Sequence, residues 1–475
     1  MAIKDNRQFI KKAETTGDVV RVKEEVDWDG EAGALTRLTC EKRGPALLFE
    51  KIKDYPEDRR LMGAPLATFR RVAIALGLKP DISMPDMFQE YEKRSQRRIK
   101  PTQIKNAPCQ EEVIKGKDID IFKLPVPYIH EGDGGRYIGS WHAVVVRDPD
   151  SDWVNWGMYR TMVHNRKNIG CYWHIGTDAG KILTTKFIQK GKIMPVAIAI
   201  GADPISCLSA SAPLKAGENE VDYAGGLHQE PVELVKCVTN DLLVPAHSEI
   251  ILEGEIIPNI KIQEGPFGEY TGYRTPGYYP RICRLTAITH RKNPILTFTN
   301  MGMPVDDSGI CWSMTTSAEI TRHLKEYGLP VTGVFSPPET GNMLIIVRIR
   351  TLYGNIAHVV KNIVTAIEPG MPKVMVVDDD VDIYNLNEVW HAFAAKCHPG
   401  RGIRIQEPDI VNPLIPFLST EERNHVRGAS MLMDCTWPTD WPKNTDVPPR
   451  ISFRETYTKN IQDSALKKWK RLKLK

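Results

Sequence analysis

Apolar and polar positions change their spacing twice along the chain, and each change marks a different kind of structure. In residues 6–16 the pair Phe9 and Ile10 sits among polar neighbours and Gly17 follows, which predicts a short amphipathic helix. A charged helical segment over 81–100 closes an N-terminal module, and Pro101 with the polar stretch to Ile114 reads as a linker. Between about Asp118 and Asn300 short apolar or alternating runs recur, at 141–146, 195–200, 249–254, 282–289 and 294–298. Gly, Pro and Asn/Asp clusters separate them, so this region is predicted to be β-rich, a barrel or a sandwich. From about Ser317 strand and helix patterns alternate: a strand over 342–349, a helix over 354–366, a buried strand over 373–377 and a helix over 385–395. That order is a βαβ unit of an α/β domain. The basic stretch 452–475 has few apolar residues and reads as a tail or an exposed helix.

Length and charge narrow the function. A chain of 475 residues exceeds one ordinary core and implies two to four domains. A net charge of +4 over that length is too mild for a nucleic-acid binder. Nine cysteines, an odd number without a C-x-x-C pair, fit neither a disulfide framework nor a zinc site. Reduced thiols of a soluble cytoplasmic enzyme are the expectation. The first residues lack the apolar core of a secretion signal, and the longest apolar run, Met194 to Ile200, is too short to span a membrane. The phosphate-loop, dinucleotide-fingerprint, nucleophile-elbow and H-E-x-x-H zinc motifs do not occur in the sequence.

The candidate chemistry gathers in the β-rich region. In Glu264-Gly-Pro-Phe-Gly-Glu269 two carboxylates flank a turn whose glycines permit close backbone approach. Two such groups are either exposed turn residues or a pair whose pKa values split, one holding a proton while the other stays ionised. Asn155 can offer a neutral oxygen to a hard cation, and Arg160, five residues on, has a fork suited to carboxylate or phosphate. Glu233, between apolar neighbours, either faces solvent or points inward to a metal. His174, among aromatics, is either a packed residue or a ligand. The acidic run Asp378 to Asp382 lies between a buried strand and a helix, where capping accounts for it better than magnesium does.

Several strings in a shared order resemble the UbiD family of reversible (de)carboxylases over nearly the whole chain. They are Gly44-Pro-Ala-Leu-Leu-Phe-Glu-Lys-Ile52, Asn155 to Arg160, Ile200-Gly-Ala-Asp-Pro204, Val235 to Pro245, Glu253-Gly-Glu255, Glu264 to Glu269 and Val376 to Asp382. Within the family the chain is similar to the large subunit of hydroxyarylic acid decarboxylases of the 4-hydroxybenzoate and vanillate type. The resemblance implies a carboxy-lyase that uses prenylated FMN, supplied by a separate flavin prenyltransferase, with a divalent ion, usually manganese, and potassium. It implies Arg160, Glu264 and Glu269 as the catalytic set, with Glu269 as proton donor. It implies Asn155, Met158, Tyr159, Arg160 and Trp173 at the cofactor, and Asn155, Glu233 and His174 at the metal.

The implied fold is an N-terminal α/β module (1–110), a central split β-barrel that binds the flavin (111–310), and a C-terminal α/β dimerisation domain (311–450). A tail or helix follows (451–475), and the assembly is a homodimer or homohexamer. The substrate implied is a free aromatic or α,β-unsaturated acid. An aryl acyl-CoA thioester such as phthaloyl-CoA is the alternative within the reaction class, and a non-catalytic flavin-binding or scaffold subunit is the alternative outside it. Two departures stand out. Ser430 occupies a position where many members have a flavin-contacting lysine, with Arg427 as a substitute, and Trp437 and Trp441 form an unusual pair nearby.

Overall fold

The computed structural model describes residues 3–472. The first helix, Asn6–Glu14, starts where Asp5 accepts the Gln8 N–H at 2.7 Å and buries Phe9, Ile10 and Ala13. It leads into a four-stranded sheet in the order Val19–Val26, Ala46–Ile52, Arg60–Gly63, Ile295–Phe298. The last of these strands is the run at 294–298, expected in the β-rich region. It pairs in parallel with Arg60–Gly63 instead, so the chain returns to the N-terminal sheet after building the central one. A wholly buried four-residue strand carries no alternation to say which sheet it completes.

The central sheet has nine strands, all paired antiparallel, and curls into a half-barrel. Arg281–His290 and Ile250–Lys261 form its long middle pair, followed by Met194–Ile200, His142–Arg147 and Val154–Gly157 toward one edge. Met194–Ile200 has a strand on either side and is apolar throughout, as a central strand must be. The stretch read as a linker is also used: Glu112–Lys115 pairs with Arg281–His290.

The third sheet has the order Val331–Phe335, Leu344–Ile349, Lys373–Asp378, Arg427–Cys435, Ile403–Ile410. Leu344–Ile349 runs parallel to Lys373–Asp378 through the helix Ile356–Ile367, which is the expected βαβ unit. The helix Asp307–Glu326, buried over most of its 20 residues, joins this domain to the rest. The architecture is mixed α+β, as expected. The basic C-terminal stretch forms Lys459–Arg471, a helix with no buried residue. Among the described residues all nine cysteines are free, and no helix is long and apolar enough to cross a membrane.

Candidate active site

Arg160 leaves the edge strand Val154–Gly157 and turns into the protein interior, where the segment 264–269 meets it. Its Nε and Nη2 donate to the two oxygens of Glu264 at 2.9 and 2.8 Å, a bidentate pair. Its Nη1 donates to Glu269 Oε1 and, at 2.7 Å, to Thr275 Oγ. The Tyr137 hydroxyl donates to Glu264 Oε1 at 2.8 Å, so three hydrogen bonds hold that carboxylate. Tyr172, Phe267 and Tyr278 surround the guanidinium with ring centroids 5.2–5.6 Å away.

The turn between the acids depends on Gly265. Its φ is +81°, and a Cβ there would stand 3.1 Å from both Gly277 Cα and Pro276 O. Burial pushes the Glu269 pKa up, against the pull of Arg160, and the neighbouring Glu264 charge adds to the rise. Burial works against the charge on Arg160 too, but the two carboxylates outweigh it and keep the guanidinium firmly charged. Arg160 and Glu269 line a cavity of about 460 Å³, whereas Glu264 lies behind them.

The other end of that cavity is built from Asn155 and an acid not singled out in the sequence. Glu220, the first residue of the helix Glu220–His228, accepts the Asn155 amide at 3.0 Å and the Trp156 N–H at 2.8 Å. It is 2% exposed and has no cationic partner among the described residues; burial raises its pKa to about 8. Asn155 Oδ1 accepts the Tyr159 hydroxyl at 3.1 Å, and Met158, Tyr159, Asp178 and Lys181 line the space beside them.

The other three expected residues are placed differently. Glu233 begins a strand of a separate three-stranded sheet and pairs with His247 at 2.6 Å, so it does not reach Asn155. His174 does line the cavity. Its Nδ1 accepts the Gly176 N–H at 3.0 Å. Trp173 lies behind Tyr159, with ring centroids 5.7 Å apart, and is not part of the cavity lining. The signal that would have found Glu220 is an acid opening a mostly apolar helix directly after the polar loop 215–219.

Three family models match the chain in order. They are the N-terminal domain of 3-octaprenyl-4-hydroxybenzoate carboxy-lyase over residues 10–91, its Rift-related domain over 100–304 and its C-terminal domain over 310–435. The chain is 32% identical to the pyrrole-2-carboxylic acid decarboxylase of Pseudomonas aeruginosa, covering 98% of this chain and 97% of the other.

The protein belongs to the UbiD family.

It is therefore a UbiD-type carboxy-lyase. It is also 34% identical to the phenolic acid decarboxylase of Sedimentibacter hydroxybenzoicus, over 95% of this chain and 94% of that one. Among solved structures it superposes on the closed form of the vanillic acid decarboxylase of Sedimentibacter hydroxybenzoicus with a TM-score of 0.87, at 32% identity over 98% and 99% of the two chains. The UbiD-class enzyme HmfF of Pelotomaculum thermopropionicum, in complex with FMN, matches with a TM-score of 0.83 at 27% identity, over 94% and 97%.

The departures from the UbiD pattern lie away from the cavity. Ser430 is on the strand Arg427–Cys435, where its hydroxyl donates to Asp409; neither it nor Arg427 lines the cavity. Trp437 and Trp441 lie against each other at 6.0 Å and take cations from Lys396 and Arg401, also outside the cavity. The acidic run is structural. Lys396 Nζ bridges Asp378 and Asp380 at 3.1 and 2.8 Å, and Asp378 accepts the Trp437 N–H at 3.0 Å.

Proposed function

We propose that this protein catalyses the reversible, non-oxidative decarboxylation of a small free aromatic acid with prenylated FMN bound in the cavity between Asn155 and Arg160. The observation that carries the reading is the Arg160 clamp at the cavity wall, with Glu264 holding it from behind and Glu269 facing the space. When bound, the prenylated flavin would supply the electron sink for loss of CO2.

The protein's own groups then divide the work. Arg160 orients the acid. Glu264 keeps the guanidinium in place. Glu269, whose pKa is raised by burial, delivers the proton that replaces the carboxylate. A divalent ion such as manganese fits the Asn155 end, because Glu220 is a buried carboxylate without a counter-ion and Asn155 adds a neutral oxygen. Asp178, which lines the same cavity, would be the candidate for a third oxygen, and potassium would take a place nearby.

Free acids are preferred over thioesters because the relatives named above act on pyrrole-2-carboxylic, phenolic and vanillic acids. A flavin prenyltransferase would provide the cofactor, and the working form would be a cytoplasmic homo-oligomer. The test is anaerobic assay of protein co-produced with such a prenyltransferase, following flavin absorbance and CO2 release from 4-hydroxybenzoate, vanillate and pyrrole-2-carboxylate. Glu269→Gln should keep the flavin and lose turnover. Wild-type rates in that variant would remove Glu269 as proton donor, and absence of bound flavin in the wild type would overturn the reading.

A further inference from the structure

His130 lies outside the cavity, directly behind the turn that carries Glu269. It packs against Gly268 so closely that a Cβ there would stand 2.7 Å from the ring. Its Nδ1 meets the Asp133 carboxylate at 2.9 Å. Its Nε2 meets Asn300 Oδ1 at 2.7 Å and the Met301 carbonyl at 2.8 Å. The Asn300 amide is oriented by its other end, where Nδ2 donates to the Gly33 carbonyl at 2.9 Å. Asp133 acts as an acceptor throughout, since its oxygens also take the His130 and Gly268 backbone N–H groups, each at 3.1 Å. Both ring nitrogens thus face acceptors, and the imidazolium is the one form of histidine that donates from both. Burial opposes a charge on His130, but Asp133, Asn300 and the Met301 carbonyl outweigh it and raise the ring's pKa.

The bonds join two parts of the site. Glu269 and Met301 line the cavity, while His130 and Asp133 do not. From Gly268, the neighbour of Glu269, the links run through Asp133 and His130 to Met301. The other ionisable groups around these segments are engaged elsewhere. Glu264 and Glu269 turn to Arg160, and the Tyr137 hydroxyl to Glu264. The Tyr128 hydroxyl donates to the Asp133 carbonyl at 3.0 Å, Arg274 donates to the carbonyl of the exposed Glu131, and Arg37 donates to the Asn300 carbonyl at 2.8 Å and pairs with Asp306 at 3.7 Å.

We propose that His130, doubly protonated and held by Asp133, is a positioning residue for the proton donor: it fastens the 264–269 turn to the Met301 wall, so that Glu269 keeps its place only while the ring holds both protons. This rests on the decarboxylase reading above and adds a pH control to it. When the ring loses a proton, a nitrogen lone pair faces an acceptor oxygen and the link opens. Asp133→Asn removes the charge that favours the imidazolium, so the ring should deprotonate, and the turn loosen, at lower pH.

The test uses cofactor-loaded enzyme with ¹⁵N-labelled histidine. The His130 ring, assigned in wild type from its contacts with Gly268 and the Phe267 ring, should be doubly protonated at pH 7 and should lose that proton at lower pH in Asp133→Asn. The wild-type to Asp133→Asn ratio of kcat should be at least about tenfold larger at pH 8 than at pH 6, because the Glu269 limb is common to both and cancels, whereas a merely structural loss would be the same at both. Amide exchange over 264–275, compared at pH 8, should be faster in Asp133→Asn and in His130→Gln than in wild type. A neutral ring in wild type at pH 7, a ratio that does not change with pH, or unaltered exchange in both variants overturns the inference and leaves the decarboxylase reading standing. A doubly protonated ring with faster exchange in the variants, but no turnover of any acid by the wild type, upholds the fastening and refutes the decarboxylase reading instead.

Discussion

Replacing Glu264 by Gln asks whether that acid acts by its charge or by its shape. The carboxylate takes three hydrogen bonds, from Arg160 Nε at 2.9 Å, Arg160 Nη2 at 2.8 Å and the Tyr137 hydroxyl at 2.8 Å. Gln keeps one acceptor oxygen, enough for Tyr137 and Nε, but turns an amide N–H₂ toward Nη2, donor against donor. One charge-assisted bond is lost, a cost of about 1.5–3 kcal/mol. The larger consequence falls on Glu269. The Glu264 charge is one of the causes that push the Glu269 pKa up, while Arg160 pulls it down.

With Glu264 neutral, Arg160 has Glu269 as its remaining counter-charge, and Glu269 gives up its proton at lower pH. Above that pH the group is a carboxylate and cannot protonate the product. The limb of the kcat profile that needs the protonated acid should therefore move to lower pH. At neutral pH kcat should fall by about 10²–10⁴-fold, the usual weight of a positioned acid. The assay is CO2 release from pH 5 to 9 with cofactor-loaded enzyme, alongside urea unfolding to show that the fold survives. A kcat within about threefold of wild type and an unmoved profile would refute the charge argument.

Two further outcomes test the cavity's other end. Glu220→Gln should lose bound divalent metal, and flavin with it, by at least about 100-fold in metal affinity, whereas Glu233→Gln should keep both; metal-to-protein ratios by mass spectrometry decide it. His142 is fully buried in the cavity wall, and its ring Nε2 pairs with the Tyr159 carbonyl at 2.9 Å; burial lowers its pKa to about 4. A depressed folded pKa means stability that is present above the unfolded value near 6.5 and lost as pH falls toward 4, here about 3 kcal/mol. Denaturation midpoints should drop over that window in wild type and drop less in His142→Asn, which does not titrate; identical slopes would exclude His142 as the cause.

The elements most legible in the sequence were those whose burial leaves a pattern in a single strand or helix. Met194–Ile200 is apolar end to end because it is flanked on both edges and covered on both faces. Leu344–Ile349 and Lys373–Asp378 read as strands for the same reason, and the amphipathic helix between them gave the crossover. Pairing was less legible, because register depends on what the strand meets. The run at 294–298 is a strand as expected, yet it completes the N-terminal sheet, and a supposed linker contributes Glu112–Lys115 to the central one.

The site shows the same division. Arg160 and the 264–269 turn are 104 and 109 residues apart at their hydrogen bonds, and only the motif made them suspect each other. Glu220 and Glu233 are both glutamates beside apolar neighbours, 13 positions apart, and local pattern does not separate them. Packing does. One opens a buried helix against Asn155, and the other sits half-exposed in a small sheet with a histidine beside it. The charge balance then explains why the chemistry belongs at Arg160. One guanidinium faces two buried carboxylates there, so if both were ionised the cluster would carry an uncompensated negative charge in a largely buried site. Retaining one proton removes that charge. Burial raises the pKa of Glu269, the acid that faces the cavity, so Glu269 is the better holder of that proton. In the reading proposed above, the clamp that would orient a substrate carboxylate would also store the proton that replaces it.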